Sequence, residues 1–248
     1  MARVALVTGG SRGIGAATAR LAAKRGYDVA VNYKGNEEAA QRVVRDIEAS
    51  GRRAVAIMGD IAREADVLAL FAETDKALGR VAALVNNAGI SGKISRLDDA
   101  SAATIQTVID VNVVGAILCA REAVKRMSAK RGGAGGVIVN VTSGAATTGS
   151  PNNYIWYAAS KAGLDAFTLG LGLEVARESI RVVGLAAGVT DTEIHAAAGA
   201  PGRPQKMAAM IPLGRPAAAE EIAEAILWLM SDAARYCTAT TLRFGGGL

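Results

Sequence analysis

The chain has 248 residues, 51% of them hydrophobic and 21% charged. At roughly 150 residues per domain, that is one large domain or two small ones, and the balance excludes a disordered chain. Mean hydropathy is +0.25, yet no apolar run without glycine exceeds six residues, as at 225–230, whereas a membrane span needs about twenty. Lysine and arginine number 28 against 23 acidic residues, giving a net charge of +5. Aromatics are only 4%, and the basic residues form no stripe interleaved with them, so nucleic acid is not an expected partner. Cys119 and Cys237 lack metal-type spacing, and no metal site is expected. The chain enters VALV almost directly, without a charged region and an apolar leader, which points to the cytoplasm.

In chain order, strands are predicted at 4–7, 29–32, 54–58, 82–85, 137–141, 181–185 and 240–244. Alanine-rich helices are predicted at 14–25, 37–49, 63–78, 101–130, 155–177 and 218–231. Short apolar strands alternating with helices imply an α/β fold, a parallel sheet with helices on both faces. No linker, repeat or composition shift divides it, so a single domain is expected over 1–248. The stretch 188–216, rich in glycine and proline, is expected to be irregular, as a lid or binding loop.

The first turn reads Thr8-Gly9-Gly10-Ser11-Arg12-Gly13-Ile14-Gly15. A phosphate needs its oxygens close to backbone N–H groups at a helix N-terminus, and glycines permit that approach. Gly10 to Gly15 has the glycine spacing of a P-loop, but Ala16 stands where the lysine belongs, which argues against nucleotide hydrolysis. The same stretch matches G-x-S-x-G, and a hydrolase triad of Ser11, Asp191 and His195 is formally possible. The elbow would then lie on the first strand, with no earlier strand to build an oxyanion loop. No carboxylate ends the second strand, where an NAD site places one for the ribose hydroxyl. Arg12 and Lys34 instead offer positive charge to a 2′-phosphate, unless both are merely solvated. NADP(H) is therefore the favoured cofactor and NAD(H) a possible one, with Asp60 placed to reach the adenine edge.

Further on come Asn86-Asn87-Ala88-Gly89, then Ser143, then Tyr157-Ala-Ala-Ser-Lys161. Tyr157 and Lys161 are four apart and share one helix face. A phenol near pKa 10 is a poor catalyst at neutral pH, but a nearby ammonium can lower it by about 1–3 units. Taken alone, such a pair is more simply an exposed helix face.

Taken together, Thr-Gly-x3-Gly-x-Gly, NNAG, Ser143 and Tyr-x3-Lys closely resemble the short-chain dehydrogenase/reductase family from about residue 3 to the C-terminus. Among its members the look is of β-ketoacyl-ACP reductases and glucose dehydrogenase-like enzymes. The resemblance implies a single doubly wound Rossmann sheet of about seven strands, a homotetramer, and hydride transfer between nicotinamide and a small-molecule carbonyl or secondary alcohol. It implies catalytic roles for Asn112, Ser143, Tyr157 and Lys161: Tyr157 as acid/base, Lys161 on the ribose and lowering the phenol's pKa, and Asn112 anchoring a relay water. It implies cofactor contacts from Gly9, Ser11, Arg12, Gly13, Ile14, Asn32, Lys34, Asp60, Ile61, Asn87, Ala88, Gly89, Gly188, Thr190 and Thr192, besides Tyr157 and Lys161. Three departures stand out: Ala187 where relatives carry proline, Cys237-Thr238-Ala239 for the usual Thr-Gly, and Gly245 for an acid or amide. The alternative from another class is a dinucleotide-binding regulator without turnover. The substrate is not readable, although 91–99 and 190–215 are expected to shape its site, with a partly apolar lid at 196–198 and 207–210.

Overall fold

The computed structural model describes residues 2–248. β1 (Val4–Val7) and β2 (Asp28–Tyr33) are buried along their whole length. That is the burial expected of strands covered on both faces. β3 (Ala54–Met58), β4 (Val81–Asn86), β5 (Gly136–Ser143), β6 (Ile180–Ala187) and β7 (Thr240–Phe244) complete one sheet in the order β3-β2-β1-β4-β5-β6-β7. Every pairing is parallel. The chain builds outward from β1 to β3, then returns to start β4 on the other side of β1. This reversal opens a crevice beyond the strand carboxyl ends, the place where such sheets bind ligands.

α1 (Gly13–Lys24), α2 (Glu37–Ala49) and α10 (Ala219–Met230) cover one face. Ala19, Ala22, Val43, Ile47, Ile226 and Leu229 lie in its core. The small alanines of α1 let that helix approach the sheet closely. α3 (Glu64–Ala77), α5 (Ala116–Met127) and α7 (Ile155–Val175) cover the other face, with Phe71, Leu70, Cys119, Met127 and Val175 buried there.

The predicted helix 101–130 is present but not uniform. α4 (Ala102–Ile109) runs into a six-residue π-helical turn, Asp110–Gly115, before α5. Counted through this turn, Ala102–Met127 is long and apolar enough to cross a membrane by length and composition. In the fold, its Cys119, Ala120, Ala123 and Met127 side pack beneath the sheet. A short helix, α6 (Ala145–Thr148), follows β5. The stretch expected to be irregular holds α8 (Ile194–Ala197) and α9 (Arg203–Met207). Proline at the second position of α9 costs no helical hydrogen bond, which is why a proline-rich segment still forms a turn of helix there.

Ala239, at the first of the departures near the C-terminus, has φ +55°. It carries a left-handed conformation that glycine adopts without strain. Thr238 beside it keeps its function as an anchor, its hydroxyl accepting from the Val182 N–H at 3.0 Å.

Candidate active site

The crevice is a cleft of about 1820 Å³. It runs from the turn after β1 to the ends of β5 and β6. Gly9 and Gly13 have φ of +61° and +50°, in the region that favours glycine. Gly15 serves differently, since a Cβ there would lie 2.4 Å from both the Asn87 side-chain nitrogen and the Gly9 carbonyl. Thr8 locks the turn to β4. Its hydroxyl accepts from the Asn87 and Ala88 N–H groups at 3.0 and 3.1 Å and donates to the Val85 carbonyl. Asn87 returns two bonds, to the Thr8 and Gly9 carbonyls.

α1 begins at this turn without a side-chain cap and without an acid in its first turn. α2, by contrast, is capped by Asn36 and opens on Glu37 and Glu38. The first N–H groups of α1 thus remain available beside positive dipole charge, which suits a phosphate. Ser11, Arg12, Gly13 and Ile14 all line the cleft here.

The end of β2 differs in detail from expectation. Asn32 lines the cleft, but its side chain is committed to structure: it accepts from Gly9 N–H and donates to the Ile57 and Gly59 carbonyls. Lys34 and Asp60, assigned separately to phosphate and adenine, face each other at 2.6 Å. Burial pushes the Asp60 carboxyl up, but Lys34, the Ala62 N–H and Arg63 outweigh it and hold it below the usual range. Arg20 and Arg42, missed in the sequence, also line this end, paired with Asp46 and Glu38. Arg12 has no ion-pair partner among the described residues. Ile61 closes the floor against Gly115, where a Cβ would come within 2.8 Å of the Ile61 side chain.

At the far end, Ser143, Tyr157 and Lys161 line the cleft with Gly89, Gly188 and Thr190, while Ala88 and Thr192 line it against Gly9 and Gly13 of the glycine turn. The Lys161 ammonium donates to the Val141 carbonyl at 2.8 Å and lies 5.7 Å from the Tyr157 ring centre. Gly89 fills the gap between Asn112 and Lys161, since a Cβ there would sit 3.3 Å from the Asn112 amide oxygen and 3.3 Å from the ammonium nitrogen. Burial draws the Lys161 ammonium down to about 8, with Asp165 opposing. Burial pushes the Tyr157 phenol up to about 12, with the Ser143 hydroxyl pulling it down and Tyr154 adding to the rise. The expected lowering of the phenol by Lys161 is therefore not found. The desolvated phenolate is too costly, and the ammonium is spent on a carbonyl.

Asn112 lies in the π-helical turn, buried behind the cleft rather than on it. Its amide NH₂ donates to the Ile90 carbonyl at 2.8 Å and to the Ser160 hydroxyl at 3.0 Å, and its oxygen accepts from Ile90 N–H at 2.9 Å. Both of its donors are used, so the side chain clamps the loop after β4. The hydrolase triad does not assemble: His195 Nε2 contacts the Thr190 carbonyl at 3.0 Å, and the Asp191 carboxylate accepts from Gln205. Among the described residues, no group of three or more His, Cys, Asp or Glu is arranged to hold a metal.

Residues 9–248 match the family model described as enoyl-(acyl carrier protein) reductase. The chain is 49% identical over 244 residues to the uncharacterized oxidoreductase YgfF of Escherichia coli, covering 98% of this chain and 99% of that one. It also superimposes on a short-chain dehydrogenase from Burkholderia cenocepacia solved with NADP. The TM-score is 0.89 and identity 34%, over 99% of this chain and 97% of that one. A 3-ketoacyl-(acyl-carrier-protein) reductase from Brucella melitensis, solved with NADH, gives a TM-score of 0.90 at 32% identity, over 99% and 97% of the two chains.

The chain belongs to the short-chain dehydrogenase/reductase family.

As a short-chain dehydrogenase/reductase it is an oxidoreductase, and two of its departures from the family pattern have a physical account. Ala187 lacks the stiffness of proline, but its carbonyl accepts from Gly144 N–H at 2.9 Å, and Gly188 N–H donates to the Phe244 carbonyl at 2.8 Å. Hydrogen bonds on both sides hold the turn. Gly245 is required sterically: a Cβ would lie 2.6 Å from the Leu248 carbonyl, and one on Gly188 would lie 2.6 Å from the Gly245 Cα.

Proposed function

We propose that this short-chain dehydrogenase/reductase transfers a hydride between NADP(H) and a small-molecule carbonyl or secondary alcohol, with Tyr157 as the general acid/base. The observation that carries the reading is the pairing of two ends in one cleft. At one end an uncapped helix start lies beside the unpaired Arg12. At the other lie Ser143, Tyr157 and Lys161.

Gly9, Ser11, Gly13 and Ile14 fit a pyrophosphate, since the turn offers free N–H groups and no Cβ at the closest approach. Arg12 fits a 2′-phosphate, with Lys34 reaching it only by leaving Asp60. NAD(H) remains an acceptable cofactor because the turn itself does not distinguish the two. When bound, the cofactor supplies or accepts the hydride. Ser143 donates a hydrogen bond to the substrate oxygen, where charge develops. Tyr157, held protonated at neutral pH, donates its proton as a carbonyl is reduced; the reverse reaction takes the proton back. Lys161 keeps a positive charge beside the phenol and offers its remaining N–H groups to a ribose. Asn112 positions the wall through Ile90, and the π-helical turn offers backbone carbonyls for a proton relay.

The chain is proposed to act as a single domain, in the cytoplasm, and as a homotetramer. Supporting the last, Val114, Ile117, Leu169 and Leu173 are exposed on the π-helical turn, α5 and α7, an apolar set that a copy of the chain would cover.

The deciding experiment replaces Tyr157 by Phe. NADPH oxidation across a panel of ketones should fall by about 10²–10⁴-fold, while NADP⁺ binding by fluorescence titration stays unchanged. Unaltered turnover would refute the mechanism.

A further inference from the structure

The cleft contains more positive charge than its cofactor end uses. Arg20, Arg42 and Lys34 are each paired with a carboxylate at the α1–α2 end, and Arg12 sits in the glycine turn. Two further arginines line the cleft with no ion-pair partner among the described residues, Arg203 and Arg243. Each lies against a segment that carries a catalytic hydroxyl. The Arg243 guanidinium comes within 3.5 Å of where a Cβ on Gly144 would sit, and Gly144 directly follows Ser143. Arg203 stacks over the Tyr154 ring, 5.3 Å from its centre, and Tyr154 packs edge-on against Tyr157 at 5.2 Å.

Arg203 is also incompletely satisfied. One terminal nitrogen donates to the Asn153 amide oxygen at 2.8 Å, but Nε is buried with no partner. A buried N–H without an acceptor is costly unless something supplies one. The acids that line the cleft do not. The Asp191 carboxylate accepts from Gln205, Glu193 lies against Gly13 in the phosphate turn, and Asp60 is held by Lys34. The other terminal nitrogen of Arg203 has no hydrogen bond among the described residues, and a guanidinium N–H is a strong donor to an oxyanion.

We propose that the substrate of this cleft is an anion: its carbonyl or alcohol carbon is tethered to a carboxylate or phosphate group that Arg203 and Arg243 receive. This rests on the oxidoreductase reading above and names its substrate class. The two arginines fix which end of the substrate faces Ser143 and Tyr157. Neutral ketones of the same size lack that anchor.

The test has a binding arm that does not depend on turnover. Calorimetry on the NADP⁺-loaded protein compares benzoate and phenyl phosphate with the neutral benzamide. At least one of the anions should bind about tenfold tighter or more, and the better of the two identifies the oxyanion. Arg203→Met and Arg243→Met should each erode that preference and leave benzamide unchanged. If R203M melts early, R203Q replaces it, because its amide can still donate to Asn153. Equal binding of acid and amide, or a preference that survives both substitutions, overturns the inference. In the kinetic arm, acetoacetate and levulinate should exceed their methyl esters in kcat/KM. Equal reduction of acids and esters would leave the reductase reading standing and this one refuted. Absence of turnover on all four would refute the reductase reading, and the binding arm would still decide this one.

Discussion

The two ends of the cleft are built on different principles. At the glycine turn, most polar groups satisfy one another: Thr8, Asn87 and Asn32 are bonded to the backbone of β3, β4 and the turn itself, and Arg12 stands apart from them without an ion-pair partner among the described residues. At the substrate end, recognition falls to long side chains on short elements. Arg203 and Met207 are on α9, Arg243 is at the end of β7, and Met210 lies in the segment after α9. Recognition built from backbone tolerates almost no change, whereas recognition built from side chains is altered by one substitution. The first kind suits a ligand whose shape is fixed, and the second suits a ligand that distinguishes one enzyme from another.

The strongest way to break this contrast is to put the same methyl group into both ends. Gly15→Ala drives a Cβ into the Asn87 side chain and the Gly9 carbonyl. It should cost about 3 kcal/mol and abolish tight NADP⁺ binding, read by denaturant unfolding and titration. Gly202→Ala, just before α9, meets nothing within 4 Å and has φ −85°. It should change stability by less than about 0.5 kcal/mol. Similar costs at the two sites would erase the distinction.

A smaller effect is expected from Arg12→Ala. It leaves the backbone cradle intact and removes a charge, so NADP⁺ affinity should fall about tenfold while NAD⁺ affinity holds. A wild-type protein that binds both dinucleotides equally would undo the charge assignment for Arg12 and Lys34.

The smallest effect is in the pH dependence of stability. Lys161 is near 8 when folded against 10.5 for the free side chain. The unfolded chain therefore holds this proton more tightly, and the folding penalty is full below about pH 8 and relieved as pH rises toward 10.5. In cofactor-free protein, the Tm difference between wild type and Lys161→Met should shift in favour of wild type across that window. A flat difference would mean that the ammonium is better solvated than its position indicates.

Much of this was legible in the sequence because the governing features are local. The first turn shows its glycines because left-handed φ and close approach exclude other residues, and the strands of the sheet's centre are short and mostly apolar. Ser143, Tyr157 and Lys161 stand out only in company, because with the glycine turn and Asn86-Asn87-Ala88-Gly89 they resemble a family pattern, whereas the Tyr-x3-Lys spacing alone reads as an exposed helix face. What escaped was tertiary. Nothing in the sequence DVNVVG announces a π-helical turn, since α and π backbones draw on the same residues. The partner choices of Lys34, Asp60 and Asn32 depend on which strand ends meet, not on what precedes or follows each residue. Arg203 and Arg243 are 40 positions apart and come beside the segments of Tyr157 and Ser143 only through the fold.

The π-helical turn sets a rule for insertions and deletions. An α-helix turns about 100° per residue, so a π-turn acts as a one-residue phase shift between α4 and α5. Upstream, Val108 is buried; downstream, Cys119, Ala120 and Ala123 face the sheet. Removing one residue from Asp110–Gly115 would rotate one of these faces by more than a quarter turn and point its apolar side at water. The fold therefore reads this segment by its exact residue count, as a gear reads its teeth, whereas the loops around α8 and α9 can change length without any such penalty.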